Sequence, residues 1–176
     1  MANKDPGKIF EQHIEDSSKH QKVYNLRVRD VFIPFHLRHL IDLPPNKYDF
    51  LLAHSGIVLP LELKSVNGKS LPFANIEDNQ IKALTAAREF DDTYPGFLFN
   101  YRPANNATFY LHINDFLIYQ GVANGDPSPY KSKINVASIP IGVCEEVGIL
   151  LDSKLLKVHY RYDIKGLFQK VVEKYR

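Results

Sequence analysis

The chain has no tryptophan, one cysteine (Cys144) and one methionine, at position 1. A lone thiol cannot close an intrachain disulfide and leaves no cysteine cluster for zinc. Cys144 sits in the apolar stretch 139–151, where a small core residue is expected rather than a nucleophile. No apolar run approaches the length of a bilayer span, and the opening Met-Ala-Asn-Lys-Asp-Pro has no apolar segment of a secretion signal. A soluble cytoplasmic protein with no membrane partner is the expectation. Repeats and low-complexity tracts are also missing, which excludes solenoid and fibrous classes. Nor is there a strong charge of one sign: the net charge is +2, which does not by itself announce a nucleic-acid binder.

What is present suits one globular domain. A length of 176 residues is enough to bury a core, and 44% hydrophobic with 24% charged content argues against wholesale disorder. The charge is unevenly spread. Residues 19–40 hold Lys19, Lys22, Arg27, Arg29 and Arg38 against Asp30 alone, with His20, His36 and His39 besides, and the last 23 residues hold seven Lys or Arg against Asp163 and Glu173. Two basic surfaces on a near-neutral chain fit contact with a phosphate backbone, and they equally fit solvated faces. Arg27, Arg29, Arg38, His39, Lys131 and Lys133 are the candidate DNA contacts. The spacing of His36 and His39 could serve zinc on a helix, but no further cluster completes a site, so phosphate contact or packing is expected of them.

Asp5 as N-cap with Pro6 in the first turn predicts a helix to about Lys19, placing Phe10, Ile14 and Ser17 on one face. Residues 23–29 alternate Tyr24, Leu26 and Val28 with Asn25, Arg27 and Arg29, a pattern for a half-buried strand with a basic outer face. Segment 30–46 contains Pro34 and closes on Pro44-Pro45, which argues against a central strand. It is expected either to project, with Phe32 and Phe35 able to wedge between bases, or to pack Phe32, Leu37 and Leu40 into the core or a dimer interface. A hairpin over 47–65 and a helix over 75–91 follow, the helix with Ile76, Gln80, Leu84, Ala87 and Phe90 near one face. Strands are expected over 96–101 and 107–113, then a helix over 115–122 capped by Asn114 and a polar loop over 123–132. A strand near 155–162 leads to a last helix capped by Asp163, with Leu167, Phe168, Val171 and Val172 inward. This order predicts an α/β fold over 1–176, a mixed central sheet flanked by helices.

The chemistry concentrates at Tyr48-Asp49-Phe50 and, thirteen positions after Asp49, Glu62-Leu63-Lys64. In a strand Glu62 and Lys64 share one face while Leu61 and Leu63 share the other. If the chain turns at Ser55-Gly56 and pairs antiparallel, Asp49 returns beside Glu62. Two carboxylates that close repel, and a divalent cation relieves them; oxygen ligands favour Mg²⁺ or Mn²⁺. An ordinary ion pair on a solvated strand would carry the same pattern, but the flanking residues, Ile57-Val-Leu-Pro-Leu, are almost wholly apolar. Glu11, in the first helix, is either an extra carboxylate for the site or a glutamate favoured by the helix dipole. Gln80 either fills an amphipathic helix or orients water and phosphate.

Together these segments resemble the PD-(D/E)xK nuclease superfamily and, within it, RecU-type Holliday junction resolvases. Gly7-Lys8-Ile9-Phe10-Glu11 is similar to that family's Gly-Lys-x-Phe-Glu, Asn79-Gln80 to its His-Gln pair, and Ser138-Ile139-Pro140 and Tyr160-Arg161-Tyr162-Asp163 to its Ser-Ile-Pro and Arg-x-Asp-Tyr segments. Tyr48 departs from the proline of the superfamily's name, and Asn79 from the histidine. The resemblance implies a restriction-endonuclease-like nuclease core that resolves Holliday junctions by Mg²⁺-dependent phosphodiester hydrolysis, in a bacterial or phage-infected cell. Asp49, Glu62 and the Leu63 carbonyl would hold the metal, Lys64 would orient water, Glu11 and Gln80 would assist, and residues 30–46 would stand in for a stalk. A junction has two symmetric strands to cut, so a homodimer is expected, with branched DNA and a recombinase as candidate partners. A duplex-cutting endonuclease of the same superfamily, or a non-catalytic DNA- or recombinase-binding module, remains the alternative.

Overall fold

The structure, a computed structural model, describes residues 5–28 and 46–176. Arg29, Arg38, His39, and residues 30–45 of the expected stalk with Phe32 and Phe35, lie outside the described residues.

Helix α1 (Pro6–His20) starts as its first residues dictate: the Asp5 carboxylate accepts the Gly7 N–H at 2.9 Å, and Pro6 needs no donor there. A short turn leads to strand β1 (Tyr24–Arg27), which pairs antiparallel with β2 (Phe50–His54). β2 turns back through Ser55 and Gly56, both at positive φ (51° and 81°), the geometry of a two-residue type I′ hairpin, into β3 (Ile57–Val66). From β3 the chain runs through β4 (Ser70–Pro72), a 3-10 turn at Phe73–Asn75 and α2 (Asp78–Ala87) to β5 (Gly96–Tyr101), which lies parallel to β3. Next come β6 (Ala107–His112), α3 (Ile113–Ala123), β7 (Ser138–Pro140), α4 (Ile141–Val147) and β8 (Ile149–Leu150). β9 (Ser153–Leu155), β10 (Tyr160–Tyr162) and α5 (Ile164–Tyr175) complete the described chain.

The main sheet has the order β1-β2-β3-β5-β6-β8, antiparallel except at the β3–β5 crossover. This is the mixed sheet flanked by helices that the element order predicts. One face packs Leu61, Leu63, Phe50 and Leu98 against Phe10 and Ile14 of α1 and Leu167 and Val171 of α5. The other packs Phe97, Phe99 and Tyr101 against Leu84 of α2 and Phe116 and Tyr119 of α3. β3 is therefore covered on both faces, which is why its sequence is a nearly continuous apolar run.

Four local expectations change. In β1 the alternation is inverted: Tyr24 and Leu26 are 62% and 50% exposed, while Arg27 turns toward α1. Among the described residues β1 is the outermost strand of its sheet, and two glutamates on α1 draw the guanidinium inward. The predicted strand over 155–162 is a hairpin, closed where Leu156 N–H donates to the His159 carbonyl at 2.8 Å. α2 is shorter than 75–91, so Phe90 lies past its end and is 70% exposed. α3 is capped by His112, whose Nδ1 accepts the Asn114 N–H at 3.1 Å, rather than by Asn114.

Candidate active site

The hairpin register sets Phe50 opposite Leu61, and one step further sets Asp49 opposite Glu62. Asp49 is tied to β3 twice: its N–H donates to the Leu61 carbonyl at 3.1 Å, and its Oδ2 accepts the Leu63 N–H at 2.8 Å. Because that N–H faces the β2 side, strand geometry directs the Leu63 carbonyl to the same side. Glu62 and Lys64 emerge on the α2 face. Lys64 Nζ stands 2.9 Å from Glu62 Oε1, and Gln80 Nε2 donates to the same oxygen at 2.5 Å. Gln80 is itself fixed, since its Oε1 accepts the Glu77 N–H at 3.0 Å at the start of α2. Asp49, Glu62, Lys64 and Gln80 thus converge from a strand end, a central strand and a helix start.

Glu62 is only 2% exposed. Burial pushes its carboxyl up to about 8, the Asp49 charge adds to this, and the Lys64 ammonium opposes it. Asp49 is raised too, first by burial and then by the Glu11 charge, against the Leu63 N–H and Lys64. A carboxyl pair that cannot ionise fully beside one lysine has a deficit of positive charge. That deficit, with oxygen-only donors, fits a hard divalent cation.

Glu11 is on the α1 side of the sheet. Its carboxylate is committed to Arg27, whose other guanidinium nitrogen bonds Glu15 at 3.0 Å. Among the described residues no three histidine, cysteine or acidic side chains gather as a metal cluster, and the Glu11 charge is felt at Asp49. Arg27, expected on the surface, is instead half-buried between these glutamates and packs over the Phe50 ring at 5.8 Å. Lys131 and Lys133 are exposed on a loop that Glu146 holds through the Lys131 and Ser132 N–H groups at 3.0 and 2.6 Å. Two features escape a reading of the sequence. Glu15 completes the Arg27 cage, and its position one helical turn after Glu11 was the available signal. Buried Asn100 anchors the strand next to the site, accepting from Ser65 Oγ at 2.8 Å and donating to Thr108 Oγ1 at 2.9 Å; a polar residue inside Phe97-Leu-Phe-Asn-Tyr was its signal.

The architecture is similar to that of a solved structure of Hjc, a Holliday junction resolvase from the archaeal hyperthermophile Archaeoglobus fulgidus. The TM-score is 0.51 at 14% identity, over 82% of this chain and 95% of that one, a likeness of fold. In sequence, the chain is 40% identical over 177 residues to the SPbeta prophage-derived uncharacterized protein YotM of Bacillus subtilis (strain 168), covering 99% of this chain and 90% of that protein. It belongs to the family of that prophage protein. No family model matches the chain. Among the described residues no helix is long and apolar enough to cross a membrane.

Proposed function

We propose that this chain is a metal-dependent endodeoxyribonuclease that resolves four-way DNA junctions, a RecU-type enzyme of phage origin acting as a homodimer. The observation that carries the reading is the convergence of Asp49, Glu62, Lys64 and Gln80 at β3, in a fold shared with a junction resolvase. Kinship with a prophage protein supports the phage origin.

Asp49 and Glu62, with the Leu63 carbonyl, would hold Mg²⁺ or Mn²⁺; when bound, the ion supplies Lewis acidity toward a phosphate oxygen and acidifies a bound water. The chain's own groups do the positioning. Gln80 fixes the Glu62 carboxylate, and the Leu63 N–H fixes that of Asp49. Lys64, its ammonium only partly exposed, would orient the attacking water and offset charge building on the phosphorus. Glu11 contributes negative potential from across the sheet edge, held off by Arg27.

The test is cleavage of a labelled four-way junction beside a duplex of matched sequence, with Mg²⁺, Mn²⁺ or EDTA. Paired, symmetric nicks in the junction only, dependent on metal, are expected. Equal cutting of both substrates would identify a duplex endonuclease, and binding without cutting in any metal would identify a non-catalytic DNA-binding module.

A further inference from the structure

Away from the site, and among the described residues, the β9–β10 hairpin forms a two-stranded sheet of its own, apart from the main sheet. It lays its tyrosine side against α1, with Tyr162 edge-on to Phe10 at 5.8 Å. On the opposite side of the ribbon the register sets Arg161 directly across from Lys154. Like charges in opposed cross-strand positions repel, yet among the described residues neither has an acidic partner. Lys165 and His20 line the same groove, of about 570 Å³. Of the two carboxylates in its wall, Asp152 pairs with Lys170 at 2.6 Å, and Asp163 caps α5 through the Gly166 N–H at 3.0 Å, so that three basic side chains, Lys154, Arg161 and Lys165, stand against them. The groove is also rigidly built. Gln21 bridges its sides, donating to the Tyr162 carbonyl at 2.6 Å and accepting the Lys165 N–H at 3.0 Å.

We propose that this groove is a second phosphate-binding site, which holds the backbone of a DNA duplex arm at a distance from the cleavage point; it rests on the nuclease reading above. Its cations come from two elements, Lys154 and Arg161 from the hairpin and Lys165 from α5, with the His20 ring of α1 beside them, and several cations on separate elements suit successive phosphates better than a single ion. Along α1, Glu11 on the site's end and His20 at the groove are nine residues apart, an axial separation only. At 1.5 Å per residue that is about 14 Å, a distance covered by about four base pairs at 3.4 Å each. An uncompensated Lys154–Arg161 pair is a local cost to folding that a bound phosphate removes.

The experiment compares wild type with the double variant Lys154→Ala/Arg161→Ala, binding a fluorescent four-way junction in Ca²⁺ over a salt series. Affinity should fall about 10-fold or more, and the slope of log affinity against log salt should become shallower by about 1.8, two phosphates' worth. In Mg²⁺, KM should rise while kcat at saturating DNA holds. The melting temperature should not fall, because a repulsion has been removed; if it does fall, the single variant Lys165→Gln on the exposed first turn of α5 carries the same measurement. Unchanged affinity and slope with cleavage intact would overturn the groove assignment and leave the nuclease reading standing. Saturable binding of inorganic phosphate with an unchanged DNA salt slope would overturn it in favour of a small-anion site. A wild type that neither binds nor cuts branched DNA would remove the nuclease reading itself.

Discussion

Replacing Glu62 with glutamine probes the charge stored in the site. The Glu62 carboxyl is 2% exposed, and folding raises it from 4.5 to about 8. A carboxyl raised by folding contributes stability that is fully present below about 4.5 and is lost as pH rises through about 8, because the folded state must then hold a buried charge. Each tenfold difference in proton affinity is worth about 1.4 kcal/mol, so of the whole effect roughly 3 kcal/mol should drain away between about pH 5.5 and about pH 8.5. In a chain of this size that is roughly 6 to 12 °C in melting temperature. Glutamine keeps an acceptor for Lys64 and Gln80 and an N–H toward Asp49, but it cannot ionise. Melting in EDTA at the two pH values should therefore show a steep fall for the wild type and a much smaller one for Glu62→Gln. Mg²⁺ at the higher pH should restore the wild type and leave the variant almost unmoved, since cation binding requires the deprotonated ligand. Parallel falls for the two proteins would refute the reasoning, because the pH dependence would then arise elsewhere.

Other outcomes follow from the same geometry. Glu62→Ala and Lys64→Ala should abolish strand cleavage while leaving junction affinity within a few-fold of wild type, since binding rests on cations outside the site; gel shift and cleavage on one preparation check this. Cleavage should proceed in Mg²⁺ or Mn²⁺ and stop in Ca²⁺ with DNA still bound, because calcium accepts looser geometry and is a weaker Lewis acid; equal rates in EDTA would rule out a metal mechanism. Gly56→Ala meets no atom within 4 Å, so its cost is only that of a side chain at φ +81°, about 1 kcal/mol by urea denaturation, with cleavage unaffected at 25 °C. A larger loss would mean that the hairpin register has shifted and carried Asp49 with it.

The parts of the fold that were legible in the sequence are those whose cause is local. Asp5-Pro6 contains its own cap chemistry, and Ser55-Gly56 contains the turn that brings Asp49 back to Glu62. Asp163 likewise caps α5 through its own side chain. Where the cause is distant the pattern misleads. Arg27 looks like a surface residue until α1 supplies Glu11 and Glu15, and once it turns inward Tyr24 and Leu26 must face out. The β9–β10 turn lacks the glycine, proline or asparagine that marks most hairpins; tertiary packing of Tyr160 and Tyr162 along α1 makes it. Within the site, the roles of Asp49, Glu62 and Lys64 as neighbours could be read from spacing and alternation. The attachment of Gln80 to Glu62 Oε1 could not, since it depends on how the crossover lands α2 on β3.

That attachment also ties two clocks together. Gln80 holds the first turn of α2 with one end of its amide and Glu62 with the other. Helix ends open more often than helix middles, on timescales that amide hydrogen exchange records. Each time this turn frays, the Glu62 carboxylate loses one of its two partners on Oε1 and keeps only Lys64. The aim of the carboxylate is therefore coupled to the opening of a helix terminus, and a ligand that fastens Glu62 and its Gln80 partner should slow exchange of the Glu77 amide, which the same Gln80 side chain holds.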